Sequence, residues 1–345
     1  MVRRILLGLL VLTPVAVLGR FVFHLDETTL FVLAALALIP LAWVIGEATE
    51  HAAEHTGAGV GGFLNASFGN APELIIALIA VGDGLPQVVR GSLAGSVISN
   101  LLLVFGVTQL VGPEKEINRR SLFAQLGLVG AAVVLLSAPV ALGYTGSPER
   151  HAAVLVSIPV AVVLLVLYLA VTGRNLKEHR ELARDEPAAG AWSMALALVV
   201  LGVATVLTAF VSEILVHSLG AFAHAIGATE FFIAAVIVAI VGNAAEHGGA
   251  IVIARAGKMK LASEIAISSS AQVALLVAPA VMLLSLFFTH QLPLTFRWEE
   301  LAAMAAAVVF AVATIADGAT KRWEGAALVA AYAVVVACFW LAGNR

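Results

Sequence analysis

Two glutamates in this 345-residue chain stand where carboxylates are costly. Glu73 follows Gly69-Asn70-Ala71-Pro72 near the middle of an apolar run over 60–82. Glu246 follows Gly242-Asn243-Ala244-Ala245, somewhat past the centre of a second run over 229–254. The pattern Gly-Asn-Ala-x-Glu thus occurs twice, 173 residues apart. An ionisable group inside a membrane span costs several kcal/mol, and it usually faces a partner or a water-filled cavity. Two such carboxylates brought together repel unless a cation or protons lie between them. A divalent ion cancels both charges, and two protons do the same. Desolvation disfavours the ionised form of each, so protons compete with a metal near neutral pH.

The surrounding residue types suit a hard ion. Calcium takes roughly 6–8 oxygen ligands from carboxylates, amide carbonyls and backbone. Asn70 and Asn243 lie three residues before their glutamates, on the same helix face. On the following helices Ser96 with Asn100, and Ser268 with Gln272, form polar pairs at i,i+4, related to each other by an offset of 172. Gly61, Gly62, Gly69 and Pro72 in one run, and Gly242 in its twin, favour close helix contact or broken turns that free backbone carbonyls. His247 follows Glu246 and points to a different face, where it serves to relay protons or to bond a neighbouring helix. Asn, Ser and Gln in membranes also simply join helices. Two glutamates repeated in register have no such use. The one cysteine, Cys338, lies in the last apolar run as a small packing residue, and no cysteine or imidazole cluster offers a soft site.

The composition says what must position these groups. Of the residues, 61% are hydrophobic and 12% charged, against about 25% charged in an ordinary soluble domain. That excludes a sizeable soluble domain, and a net charge of −3 without basic tracts excludes nucleic acid as a partner. A span needs about 20 mainly apolar residues. Eleven runs qualify, over 4–22, 29–48, 60–82, 88–111, 120–142, 151–172, 192–216, 229–254, 261–288, 300–316 and 324–342. The first has basic flanks but no A-x-A-like cleavage site, so it reads as a helix and not as a signal peptide.

Lysine and arginine set the orientation. With a cytoplasmic N-terminus, fourteen fall on the cytoplasmic side and five (Arg20, Arg90, Arg150, Arg297 and Arg345) on the other, which places the C-terminus outside. The polar stretch 173–190 carries four acids and four bases and reads as a solvated cytosolic linker between two comparable halves. Ala77 answers to Ala250, and each motif is preceded by a run ending in polar groups, Glu47 and Glu50 in one half, Glu213 and His217 in the other. Five helices per repeat is an odd number, so the second repeat enters the membrane from the opposite side. The expected architecture is an all-α polytopic membrane protein. It has an N-terminal helix over 1–27, a first five-helix repeat over 28–172, the linker over 173–190 and an inverted second repeat over 191–345. Inverted repeats with a site at the midplane are a transporter design. A carboxylate pair filled by either a metal or protons is the core of an exchanger.

One competing pattern is His51-Ala52-Ala53-Glu54-His55, which reads as the H-x-x-E-H of zinc hydrolases. It falls at the end of a run, lacks a third ligand and is not repeated near Glu213 and His217. The alternative it supports is an intramembrane zinc hydrolase using His51, Glu54 and His55. The plainer reading is a polar helix end at a vestibule.

The stretches from Glu47 to Gly106 and from Glu213 to Pro279 resemble the calcium/proton exchanger (CAX-type) family of the cation/calcium exchanger superfamily. The resemblance includes residues 62–74, Gly-Phe-Leu-Asn-Ala-Ser-Phe-Gly-Asn-Ala-Pro-Glu-Leu, and 241–247, Val-Gly-Asn-Ala-Ala-Glu-His. Sodium-coupled members of the superfamily carry Ser or Thr where Asn70 and Asn243 stand, whereas Pro72 is similar to their Pro-Glu. The resemblance implies ten core helices in two inverted halves, gated by movement of helices 2 and 7. It implies Glu73 and Glu246 as the essential metal and proton carboxylates, with Asn70, Asn243, Ser96 and Gln272 nearby, and Glu50 and Glu213 as acids on the access paths. Some members sense calcium through an acidic central helix, but the balanced charge of 173–190 argues against that here. The expected activity is Ca2+/H+ antiport in a prokaryotic plasma membrane or a eukaryotic vacuolar-type membrane, with no cofactor. The expected partners are Ca2+, H+ and lipid, with self-association open. A sodium-coupled or Mn2+-preferring exchanger is the nearest alternative.

Overall fold

The computed structural model describes residues 2–145, 151–179 and 192–343. All eleven apolar runs fall on helix. In chain order the helices are α1 Val2–Leu9, α2 Leu12–Phe21, α3 Glu27–Gly69, α4 Ala71–Gly82, α5 Pro86–Ile98, α6 Phe105–Val111, α7 Arg119–Ala141 and α8 His151–His179. They continue with α9 Met194–Ala225, α10 Glu230–Ile233, α11 Ala239–Gly242, α12 Ala244–Arg255, α13 Met259–Gln272, α14 Ala278–Ser285, α15 Trp298–Thr314 and α16 Arg322–Gly343. Three π-helical segments, Ser99–Val104, Ala234–Val238 and Val273–Val277, join α5 to α6, α10 to α11 and α13 to α14.

Local chemistry sets many of the starts. Asp26 accepts from the Thr29 N–H at 2.9 Å and caps α3. Ser193 and Thr229 do the same for α9 and α10, in keeping with the preference for short polar side chains at that position. At α15 the Glu300 carboxylate reaches back to the Arg297 N–H at 3.0 Å.

Eight helices among the described residues are long and apolar enough to cross a membrane, and a ninth span arises if Glu230–Gly242 and Ala244–Arg255, bent by 58°, count as one. The expected eleven falls short for specific reasons. Run 60–82 is divided at Asn70, leaving α4 with 12 residues, and α15 has 17. Runs 29–48 and 60–82, counted as separate spans, are joined by helix, because the chain stays helical through Gly69. The Ala, Glu and His of 49–56 are adequate helix formers with no proline among them. Of the expected linker, 173–179 extends α8, and 180–190 lies outside the described residues.

The chain forms two compact units. The first comprises Met1–Ile79, Val166–Ile226 and Val241–Ala245. Its core is α3 laid along α9: Phe31 stacks on Phe222 with centroids 4.3 Å apart, and Ile45, Ala48 and Ala71 pack with Leu201 and Ala204. The second unit comprises Ala80–Leu165, Gly227–Ile240 and Glu246–Arg345. Small residues bring its helices into backbone contact, as in many membrane bundles. Gly95 of α5 lies directly on the backbone of Ala235, and a Cβ at Gly325 would come within 2.6 Å of the Gly106 carbonyl. Arg90, counted above with the charges of one face, is instead buried in α5, 3.7 Å from the buried Glu300.

Candidate functional site

The repeated motif is a helix stop and a helix start written together. Asn70 caps the C-terminal end of α3 with φ −94° and ψ 15°, and its carbonyl accepts the first bond of α4 from the Leu74 N–H at 3.1 Å. Asn243 stands likewise between α11 and α12. An asparagine before a helix with glutamate three residues later has capping-box spacing. Glu73 and Glu246 are therefore the third residues of two helices, each of 12 residues.

In the first unit Asn70, Glu73 and Asn243 are all buried, Asn243 completely. The two motifs meet here. A Cβ placed on Gly242 would lie 3.4 Å from both Cγ and Oε1 of Glu73, so the carboxylate of the first motif rests against the glycine backbone of the second. Glycine at 242 is what lets the acid approach the main chain so closely. Where a helix breaks inside a membrane protein, freed backbone carbonyls are tolerated only beside protein or a water-filled cavity. Such carbonyls are also oxygen ligands of the kind a hard cation takes.

In the second unit Glu246 is half-buried at the start of α12, and its Oε2 has no hydrogen-bond partner among the described residues. His247, the next residue along the helix, is buried, its Nε2 likewise unpartnered among those residues. Ser96 and Asn100 are buried on and just beyond α5. Asn100, the second residue of the π-helical stretch after α5, donates from Nδ2 to Ser269 Oγ at 3.0 Å. Ser270 Oγ donates to the Val97 carbonyl at 3.3 Å. On α13, Ser269 and Ser270 thus bond to the segment 97–100, Ser268 donates within its own helix to Ile265 O, and Gln272 is half-buried. The run of three serines concealed which of them would face α5. π-Helical turns often mark functional sites, and three of them here had no signature in the residue pattern.

Glu50 and Glu213 are exposed on α3 and α9. The zinc reading is not favoured. His51 is stacked against Trp192, centroids 4.6 Å apart, and His55 Nε2 is hydrogen-bonded to the Trp192 carbonyl at 2.7 Å. Among the described residues no cluster of three or more His, Cys, Asp or Glu could hold a metal.

A helical membrane protein whose spans break at acid-bearing motifs in both halves has the build of a transporter. The particular family follows from comparison with known proteins. The sodium/calcium exchanger protein family matches residues 27–176 and again 196–341, and this chain belongs to it. The Ca(2+)/H(+) antiporter ChaA of Bacillus subtilis (strain 168) is 38% identical over 342 residues, covering 95% of this chain and 96% of its own. The Ca(2+)/H(+) antiporter of Aphanothece halophytica is 35% identical over 360 residues, covering 97% and 96%. Among solved structures, native YfkE superposes with a TM-score of 0.84 at 36% identity, over 98% of this chain and 99% of that one.

Proposed function

We propose that this protein is a Ca2+/H+ antiporter that moves Ca2+ out of the cytosol in exchange for protons, by alternating access, as a secondary active carrier. The observation that carries the reading is the seating of Glu73 against Gly242, which brings the acid of one motif onto the helix break of the other. Glu73 and Glu246 hold either the metal or protons. The Asn70 and Asn243 amides and the carbonyls at the breaks add neutral oxygens. Ser96, Asn100, Ser268 and Gln272 line the adjoining helices, His247 stands beside the site, and Glu50 and Glu213 are acids of the access paths. The names of the relatives from Bacillus and Aphanothece support the choice of ions. The match of one family to each half supports the division into two repeats of 28–172 and 191–345, and the lysine and arginine count supports a cytosolic N-terminus. No cofactor is called for by this chemistry.

In everted vesicles carrying the protein, Ca2+ uptake is expected only when an inward-acid pH gradient is imposed. Uptake should disappear in Glu73→Gln and in Glu246→Gln. An amide at either position cannot cycle between a metal-bound and a protonated carboxyl. Persistent gradient-driven uptake in either variant, or coupling to sodium in place of protons, would refute the reading.

A further inference from the structure

α13 carries a carboxylate that the exchange site does not use. We propose that Glu264 is a cation-collecting site at the cytosolic approach to the transport path, an inference that rests on the antiport reading above. Glu264 Oε2 accepts from Ser121 Oγ at 3.0 Å and from Gln125 Nε2 at 2.5 Å, both on α7, and Gln125 Nε2 also lies 3.2 Å from Ser121 Oγ. Both donors fall on one oxygen, so the carboxylate is fixed in place by one atom while the other, Oε1, takes no part in that arrangement.

Its position on the helix points to a path. Within 262–272 the residues that are not buried are Glu264, Ile265, Ser268 and Gln272. Glu264, Ser268 and Gln272 are spaced i,i+4,i+8 and so share one face. A face of Glu, Ser and Gln turned to hydrocarbon would be costly, so this accessible stripe is a wet one. At about 1.5 Å per residue it runs about 12 Å along the helix, from the Glu264 carboxylate to the amide of Gln272. The corresponding stretch of the first repeat is sealed, for Val88 to Ile98 are all buried.

The charge environment gives the carboxylate its use. Arg119 and Arg120 begin α7, and Lys258 and Lys260 flank the start of α13; all four are exposed. The charge count assigns this face to the cytosol. Exposed acids, Glu114 and Glu116 before α7 and Asp317 near Arg119, offset part of this charge, but with Lys115 and Arg255 the basic residues outnumber them, and a net positive face repels Ca2+. One fixed negative charge beyond the rim raises the local concentration of divalent ions, an effect that scales steeply with ion charge and weakens with salt. A tie between α7 and α13 alone needs no charge, because a glutamine would accept the same two bonds.

The test separates charge from support. In everted vesicles Glu264→Gln should raise the KM for Ca2+ about three- to tenfold while Vmax stays within about twofold, the pattern of lost binding that is common to ground and transition states. Glu264→Asp should restore most of the wild-type KM. In right-side-out vesicles run in reverse, the KM at the opposite face should not move. An unchanged KM, a loss confined to Vmax, or an Asp variant no better than Gln would overturn the proposal. A binding measurement stands apart from antiport. In purified Glu73→Gln/Glu246→Gln protein, electron paramagnetic resonance of Mn2+ should reveal a weak site that is lost on adding Glu264→Gln. Identical Mn2+ isotherms with and without Glu264 would refute the collecting site even if antiport were established. A wild-type protein without proton-driven Ca2+ uptake, yet with this Mn2+ site, would overturn the antiport reading and leave the collecting role intact.

Discussion

Gly242 is the residue on which the site's geometry turns. An added methyl would meet Glu73 at 3.4 Å, the near limit of ordinary contact, so Gly242→Ala leaves the fold intact and presses on the carboxylate. The expected outcome is a several-fold rise in the KM for Ca2+, with transport abolished in Gly242→Val, while thermal unfolding in detergent changes little. Gly95 is the contrast. Its Cβ would run into the Ala235 backbone, and overpacking of that kind costs about 1–3 kcal/mol or more. Gly95→Ala should therefore lower the unfolding temperature and the yield of folded protein before any effect on ion affinity is read. Both glycines look alike in the residue pattern. Only the partner across the contact, a movable side chain in one case and main chain in the other, tells them apart. Glu73 and Glu246 stand out in the sequence because a carboxylate in an apolar run is conspicuous on its own. That Ser269 is the serine bonded to Asn100 is not legible, since three adjacent serines differ only in the direction they face.

At the scale of elements, the breaks could be read and the bulges could not. Gly-Asn ends a helix, and Asn-x-x-Glu begins one, so the interruption at 69–73 and at 242–246 follows from capping chemistry. The π-helical insertions after α5, α10 and α13 depend on packing between helices, and their sequences are plain apolar helix. One of them presents Asn100 to Ser269. Interhelical hydrogen bonds in membrane proteins average about 0.6 kcal/mol and reach about 1.7. A double-mutant cycle with Asn100→Ala and Ser269→Ala is expected to return a coupling near the upper part of that range, measured by unfolding in detergent. A coupling indistinguishable from zero would mean that this contact does not fix the bulge. The continuous α3 was missed for the opposite reason. The polar residues of 49–56 ended the apolar run, yet polar residues are ordinary helix formers where a helix leaves the hydrocarbon.

At the scale of the molecule, the class of protein followed from hydropathy, and the proposed orientation rests on charge, two signals that are independent of the motif. The orientation has its own test. A periplasmic-type reporter fused after residue 345 should be active, and one inserted at 184 inactive, with the reverse for a reporter that works only in the cytosol. The opposite pattern would invert every assignment of face made here, including that of Glu264. The doubled helix break also bears on what happens between ions. Each acid of the pair occupies the first turn of its own short helix, where the aligned peptide dipoles amount to about half a positive charge. That potential is built into the main chain and travels with neither cargo. In the interval when one ion has left and the other has not arrived, the backbone itself holds part of the compensating charge. Under the proposed exchange, each carboxylate would keep part of its charge offset by its own helix even while the carrier is empty.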